Sequence, residues 1–197
     1  FHEEGNFHNL TLCCPAGREA FKKLVGTVTA KNLNILGAHI YLKEGGMVIA
    51  SIQVEAGTHA PADDFEIWKN IKNTLSQLFL GETNLQDLLK SRIRYVSGQK
   101  KMAMVPRVYV EKTMDSPLLV IRVEARDHIG MLYKVSNVFV DFGILIHRAK
   151  ISIQGDRAID VFYVSLKNQH SDFNKVTRRL KEHMIQTLMI EKLEDVR

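Results

Sequence analysis

The apolar positions of this chain follow two periods that alternate along the sequence, and the whole pattern occurs twice. When residues 10–42 are laid over residues 121–153, few residues are identical but the apolar positions coincide. Each copy starts with a short apolar segment, and apolar residues at i, i+3, i+4 and i+7 follow it. That spacing is typical of a helix that packs one face on a sheet. The sequence therefore predicts an internal repeat.

The first helix of each copy is predicted from its apolar stripe. The stripe is Phe21, Leu24, Val25 and Val28 in the first copy, and Leu132, Val135 and Phe139, widened by Met131, Val138 and Phe142, in the second. Both helices are expected to end at a residue that tolerates the left-handed conformation of a C-cap, Asn32 in the first copy and Gly143 in the second.

A hairpin is predicted after each of these helices. Apolar and polar residues alternate from 36 to 42 and from 149 to 153, as in a strand with one buried face. The turns Glu44-Gly45-Gly46 and Gln154-Gly155-Asp156 supply glycine for positive φ. Second helices are predicted after the returning strands, with Asp63 and Ser171 as N-caps and with the stripes Phe65, Trp68, Ile71, Leu75, Leu78 and Phe173, Val176, Leu180, Met184.

Each copy is completed in this interpretation by a closing strand, at residues 108–112 and 189–195. The predicted fold class is α+β, with two ferredoxin-like βαββαβ domains that have antiparallel sheets. The first domain comprises residues 9–80 plus the strand at 107–114, and the second comprises residues 117–197. An inserted linker, residues 81–106, carries a short helix over 85–94.

Composition narrows the class of protein only moderately. The chain has 197 residues, 45% of them apolar and 25% charged, with a net charge of +5, which is ordinary for a globular protein. No apolar run is long enough to span a bilayer, so no membrane partner is expected. The first residue is Phe1, which suggests a fragment of a longer protein. Cys13 and Cys14 are adjacent, which makes a disulfide between them strained and favours reduced thiols in a cytoplasmic protein.

Residues 90–107 form a basic segment that contains six lysines or arginines and no acidic residue. It is interpreted as an exposed linker or as a contact for a protein partner. Nucleic acid is not an expected partner, because Tyr95 is the segment's one aromatic residue and base stacking is poorly provided for. The histidines have no partners at metal-ligand spacing, so no metal site is predicted.

The residues at the mouth of the second copy's helix are the candidate binding site. A helix N-terminus offers unpaired N–H groups and partial positive charge to a carboxylate, here around Gly130, Met131 and Leu132. Asp127 can accept a charge-assisted hydrogen bond from an ammonium group. These groups together suit the two charged ends of an amino acid. Alternatively, Asp127 only caps the helix.

These same residues resemble a known family. The string D-H-I-G-M-L (Asp127–Leu132) resembles the D-R-P-G-L-L entry of ACT domains, which are small amino-acid-sensing modules. The strings I-H-R-A-K-I (Ile146–Ile151) and G-D-R-A-I-D-V-F-Y-V (Gly155–Val164) are similar to one version of the family. It is the C-terminal ACT pair of the bifunctional uridylyltransferase/uridylyl-removing enzymes, which modify the signal-transduction protein PII. In the first copy the resemblance rests on N-L-N-I-L-G-A-H-I-Y-L (Asn32–Leu42) and on the pattern.

The resemblance implies a regulatory region within a larger nucleotidyltransferase. The parent enzyme is expected to use UTP and a divalent metal in its catalytic domains. This chain has neither the Gly-Ser and paired Asp of the transferase domain nor the His-Asp pair of the phosphohydrolase domain, so no catalytic residue, metal or cofactor is assigned to it. The ACT pair is expected to sense glutamine in nitrogen signalling. The parent's catalytic domains and PII are candidate partners, and a homo-oligomer is left open.

The ligand-binding residues that the resemblance implies lie in one loop and the helix after it. They are Asp127, His128, Ile129, Gly130, Met131 and Leu132. Ile129 stands where the family has Pro and His128 where it often has Arg. The first copy has Ala16 and Glu19 at the positions of Asp127 and Gly130, so we expect it to be degenerate as a binding loop. Two alternatives remain: a stand-alone ACT protein for another amino acid, and a protein-docking module without a small ligand.

Overall fold

Both copies fold in the order strand, helix, strand, strand, helix. The computed structural model describes residues 7–17, 19–56, 64–90, 104–114, 116–166 and 173–189. The first copy comprises β1 (Phe7–Pro15), α1 (Ala20–Ala30), β2 (Leu33–Lys43), β3 (Met47–Ala56) and α2 (Asp64–Leu80), and α3 (Leu85–Lys90) follows. The second stretch comprises β4 (Arg107–Lys112), β5 (Leu119–Arg126), α4 (Met131–Asp141), β6 (Ile144–Gln154), β7 (Arg157–Leu166) and α5 (Phe173–Met189).

The strands of the two copies form a single antiparallel sheet in the described residues. Its seven strands lie in the order β1-β3-β2-β6-β7-β5-β4. The copies meet where β2 pairs with β6, with Gly37 opposite Ser152 and Tyr41 opposite Arg148. The α+β class and the ferredoxin-like strand and helix order are confirmed. The two predicted sheets are joined edge to edge into one.

Strand β4 differs from its expected place. It was assigned to the first copy as the closing strand, but it pairs with β5, with Val108 opposite Val123. It also packs against α5 of the second copy. Alternating apolar residues identify a strand but do not determine which strand it pairs with. The alternation shows which side chains face the core, and that is the same whichever strand is the neighbour. The division of the chain at residues 80 and 117 stays a prediction.

The turns and helix ends have the backbone that their residues favour. Asn32 follows α1 with φ of 58° and Gly143 follows α4 with φ of 62°, which is the left-handed conformation predicted for both. Gly45, Gly46 and Gly155 in the two hairpin turns also have positive φ. These local predictions are confirmed.

One hydrophobic core extends across the two copies. The predicted stripes of α1 and α4 are buried, apart from Phe142, which is partly buried. Phe162 of β7 is fully buried and contacts two rings edge to face. The ring centroid of Phe21 in the first copy is 5.8 Å away, and that of Phe139 in the second is 4.9 Å away. The side chains of one copy therefore complete the core of the other.

Helix α3 of the inserted segment packs against α1 of the first copy at a glycine. A Cβ on Gly26 of α1 would lie 2.5 Å from a methyl carbon of Leu85, so α3 approaches α1 where the backbone is bare. The predicted helix is observed from Leu85 to Lys90. Residues 91–103, which hold most of the basic segment, lie outside the described residues.

Other predictions are corrected or fall outside this region. Phe65 was placed in the buried stripe of α2, but its side chain is 70% exposed, while Ile71, Leu75 and Leu78 of the later turns are buried. Lys23 of α1 contacts the later turns of α2, donating to the carbonyl of Leu78 at 3.0 Å. The proposed caps Asp63 and Ser171 and the strand at 189–195 lie outside the described residues. No helix among the residues described is long and apolar enough to cross a membrane.

The shared core predicts that the copies unfold together. Replacing Phe162 with Ala removes the ring that bridges Phe21 and Phe139, and such core truncations cost about 3–5 kcal/mol. We expect urea unfolding of Phe162→Ala, followed by circular dichroism, to remain one transition with a lower midpoint. Phe65→Ala, at an exposed position, is the control and should change stability by about 0.5 kcal/mol or less. Two separated transitions would contradict a common core.

Candidate functional site

The loop between β5 and α4 is held in place by its backbone. The N–H of Asp127 donates to the carbonyl of Asp156 in the β6–β7 turn, at 2.8 Å. Nδ1 of His128 lies 3.1 Å from the carbonyl of Arg126, and because a carbonyl only accepts, this nitrogen carries the proton. The loop is thus fixed to the end of β5 and to the β6–β7 turn.

Gly130 begins the helix in a conformation that favours glycine. It is the N-cap of α4 with φ of 91°, and its carbonyl accepts the first helical hydrogen bond from the N–H of Lys134 at 3.1 Å. The matching N-cap of α1 is Glu19, which has ordinary helical dihedrals. The spacing of the two loops is therefore the same, but their backbones differ.

The helix mouth offers fewer free amides than predicted. The N–H of Met131 donates to the carbonyl of His128 at 3.1 Å, closing a turn. In the described residues, the N–H groups of Gly130 and Leu132 have no backbone acceptor. Two of the three amides predicted to hold a carboxylate thus lack a backbone partner. The side chains of Met131 and Leu132 point into the core.

Asp127 joins the two copies instead of capping α4. Nδ2 of Asn34, at the start of β2 in the first copy, donates to Oδ2 of Asp127 at 2.7 Å. The side-chain hydrogen bonds given for Asp127 come from Asn34 and from the N–H of His128, which precedes α4, and not from an N–H of the helix. Burial raises the pKa of the Asp127 carboxyl, and Glu55 of β3 acts in the same direction, while the hydrogen bond from Asn34 lowers it.

A narrow cavity lies between the copies at this hydrogen bond. Its volume is about 10 Å³, which accommodates roughly one water molecule. An amino acid therefore requires the two copies or their side chains to move apart. The polar side chains that line the cavity come from β2, β7, α1 and the β5–α4 loop; they are Asn34, Asp160, Thr29, Asp127 and His128.

His128 contributes a neutral ring to this cavity. Burial lowers the pKa of His128, and the positive charge of Lys134 on α4 lowers it further. With Nδ1 protonated, Nε2 of the neutral ring is an acceptor. Of the predicted site residues, Asp127, His128, Gly130, Met131 and Leu132 line the cavity, and Ile129 is not among the lining residues.

Asp160 is the lining residue that sequence reasoning missed. It is fully buried, and its Oδ2 has no hydrogen-bond partner among the described residues. The N–H of Ser152 donates to Oδ1 at 3.4 Å. Burial, together with the charge of Asp127, raises the pKa of Asp160 to about 8. A signal was present, because Ala158, Phe162 and Val164 share its parity on β7 and predict that position 160 faces the core.

The first copy lacks the matching polar groups. Val123 pairs with Asp160 and Leu12 pairs with Ala50, so Ala50 occupies the place of Asp160. Ala16 stands where the second copy has Asp127. By the alignment of the copies, Leu145 on β6 corresponds to Asn34 on β2. The acidic and amide groups are therefore gathered at one of the two related positions.

Comparison with known proteins adds an independent similarity. The chain is 29% identical over 175 residues to a bifunctional uridylyltransferase/uridylyl-removing enzyme of Azospirillum brasilense. The resemblance inferred from the motifs is confirmed. The match covers 85% of this chain and 18% of that uridylyltransferase, so the chain spans less than a fifth of its relative's length.

Two other comparisons are less informative than the uridylyltransferase match. No protein-family model matches the chain. A solved structure of a candidate glycine cleavage system transcriptional repressor is 13% identical, covers 90% of this chain and 89% of that chain, and gives a TM-score of 0.30. We draw nothing from so low a score.

The buried Asp160 predicts a pH-dependent stability. An aspartate in the unfolded chain has a pKa of about 3.9, and burial raises the pKa of Asp160 in the folded chain to about 8. The folded state therefore keeps a proton that the unfolded state releases. The stability contributed by Asp160 is fully present below pH 4 and is lost as the pH rises to 8.

We expect the stability of Asp160→Asn, whose side chain does not titrate, to rise relative to that of the wild type between pH 4 and pH 8. The difference between their free energies of unfolding should grow in favour of the variant by a few kcal/mol, at about 1.4 kcal/mol per pH unit. Urea unfolding at pH 5, 6, 7 and 8 measures this difference. Asp87→Asn, whose exposed side chain pairs with Lys90, is the control. A difference independent of pH would show that Asp160 is ionised in the folded protein.

Proposed function

We propose that this chain is the amino-acid-sensing regulatory region of a PII-uridylyltransferase, and that glutamine is its ligand. The observation that carries the proposal is the Asn34–Asp127 contact, which puts the one acidic group of the binding loop at the junction of the two copies. The similarity to the Azospirillum enzyme supports the parent's identity. The same proposal entails a cytoplasmic protein with the parent's catalytic domains as its partners, and PII as the protein modified.

The Asp127 carboxylate in the cavity suits the ammonium end of an amino acid, and the N–H groups at the start of α4 suit its carboxylate end. The ligand's ammonium would compete with Asn34 for Asp127, because an ammonium brings a positive charge to the carboxylate whereas the amide of Asn34 is neutral. The ligand's carboxylate would accept from the N–H groups of Gly130 and Leu132. One amino acid would then contact the second copy through both of its charged groups.

Binding at this junction would change how the copies are arranged. The cavity holds about one water molecule as it stands, so a ligand must favour a more open arrangement in which Asn34 and Asp127 are separated. A ligand shifts the population of arrangements by its difference in affinity for them. Sensing near millimolar concentration needs about −4 kcal/mol of binding. A complete switch needs a preference of roughly 10⁴-fold, so one such site supports partial switching.

The charge of Asp127 is expected to control ligand binding. Asp127→Asn keeps an acceptor for Asn34 and removes the charge that attracts an ammonium. Because hydrogen bonds to charged groups contribute about 1.5–3 kcal/mol, we expect glutamine affinity to fall about 10- to 100-fold in isothermal titration calorimetry. Asp141→Asn is the control and should bind as the wild type does. Equal affinities of Asp127→Asn and wild type would exclude Asp127 as the ammonium partner.

The missing polar groups of the first copy predict one site in each chain. Titration of the wild type with glutamine should saturate at one ligand per chain. Two equivalent sites would contradict the degeneracy of the loop that carries Ala16 and Glu19.

A thermal-shift screen with the common amino acids separates the alternatives. Stabilisation by glutamine supports the uridylyltransferase sensor. Stabilisation by a different amino acid favours a stand-alone ACT protein, and stabilisation by none favours a protein-docking module.

A further inference from the structure

Asp160 is a buried acidic residue that neither the fold nor the proposed amino-acid anchors explain. A buried polar atom without a partner costs about 1–3 kcal/mol, and Oδ2 of Asp160 is such an atom in the described part of the chain. The carboxamide oxygen of Asn137 is another, but Asn137 does not line the cavity between the copies, whereas Asp160 does. The unpartnered oxygen of Asp160 is therefore available where a ligand would enter.

We propose that Asp160 contacts the side chain of the ligand. We propose further that this ligand side chain ends in an uncharged group with both a hydrogen-bond donor and an acceptor, such as a carboxamide. This inference rests on the proposed function, because it assumes that an α-amino acid occupies the cavity beside Asp127. Asp127 takes the ammonium, and Oδ2 of Asp160 takes the end of the side chain.

The preference for an uncharged group follows from the protonated form of Asp160. Burial and the charge of Asp127 raise the pKa of Asp160 to about 8, so near pH 7 the carboxyl is mostly neutral. Because Oδ1 accepts from the N–H of Ser152, the proton belongs on Oδ2. A neutral carboxyl can donate to a carboxamide oxygen and accept from its N–H, whereas an ionised one only accepts.

The carboxylates near Asp160 oppose a ligand with an acidic side chain. Asp127 lies in the β5–α4 loop, and Glu55 of β3 interacts electrostatically with it. The ring of His128 lines the same cavity, and its pKa is lowered first by burial and then by the positive charges of Lys134 and Arg126, the cations near this cavity among the described residues. A glutamate side chain would bring a further negative charge beside Asp127. A lysine side chain would require Asp160 to ionise, and its binding would then strengthen as the pH rises.

The test compares ligands that share both anchors and differ in their side chain. Calorimetric titrations of the intact chain with glutamine, glutamate, lysine and alanine at pH 6.5, 7.5 and 8.5 give the glutamine-to-alanine affinity ratio. Alanine has the same ammonium and carboxylate as glutamine, so the ratio isolates the side chain. We expect the ratio to exceed ten at pH 6.5 and to fall at pH 8.5, and we expect glutamate to bind at least tenfold more weakly than glutamine.

Two variants assign the effect to Asp160. Asp160→Asn keeps a donor at the place of Oδ2 and does not titrate, so its ratio should stay high at all three pH values. Asp160→Ala removes both oxygens, so its ratio should fall about tenfold while alanine still binds. Asn137→Ala is the control, because it truncates another buried polar side chain outside the cavity, and its ratio should match the wild type.

The possible outcomes distinguish this proposal from the proposed function. If the wild type binds glutamine and Asp160→Ala leaves both the ratio and its pH profile unchanged, the role of Asp160 is overturned and the amino-acid sensor stands. If lysine binds best and binds more tightly as the pH rises, the proposed preference for an uncharged side chain is overturned. If the wild type binds no amino acid, both proposals are overturned.

Discussion

The pairing of β2 with β6 is the constraint on which the rest of this structure depends. It joins two βαββα units into one sheet and fixes their register, with Ala38 opposite Ile151. In that register the start of β2 lies beside the β5–α4 loop, and Asn34 reaches Asp127 across 93 residues of sequence. A polar cavity between the copies is a direct result of this pairing.

The asymmetry of the two copies follows from a few substitutions on a common backbone plan. Ala50 and Ala16 stand in the first copy where the second has Asp160 and Asp127. The first copy contributes Phe21 to the shared core and Asn34 to the cavity. The repeat thus supplies a scaffold, and the second copy supplies the acidic groups.

The two carboxyls of the cavity differ in their surroundings and so suit different partners. Asp127 is partly exposed and accepts a hydrogen bond from Asn34, so its ionised form is penalised less by burial than that of Asp160. Asp160 is fully buried beside it, and a second ionised carboxylate there would be repelled by the first. Under the proposal, Asp127 would take the ligand's cation and Asp160 its neutral polar group.

The sequence by itself determined most of the helices and strands and the position of the candidate loop between β5 and α4. Helix stripes, glycine turns and the left-handed ends at Asn32 and Gly143 depend on interactions within a few residues, so their periods and residue types predict them. Only the tertiary structure decided that β4 lies beside β5, that Asp127 bonds to Asn34 instead of capping α4, and that Asp160 faces a cavity. Strand partners, burial and the pKa of a buried acid depend on residues far apart in the chain, which local patterns do not specify.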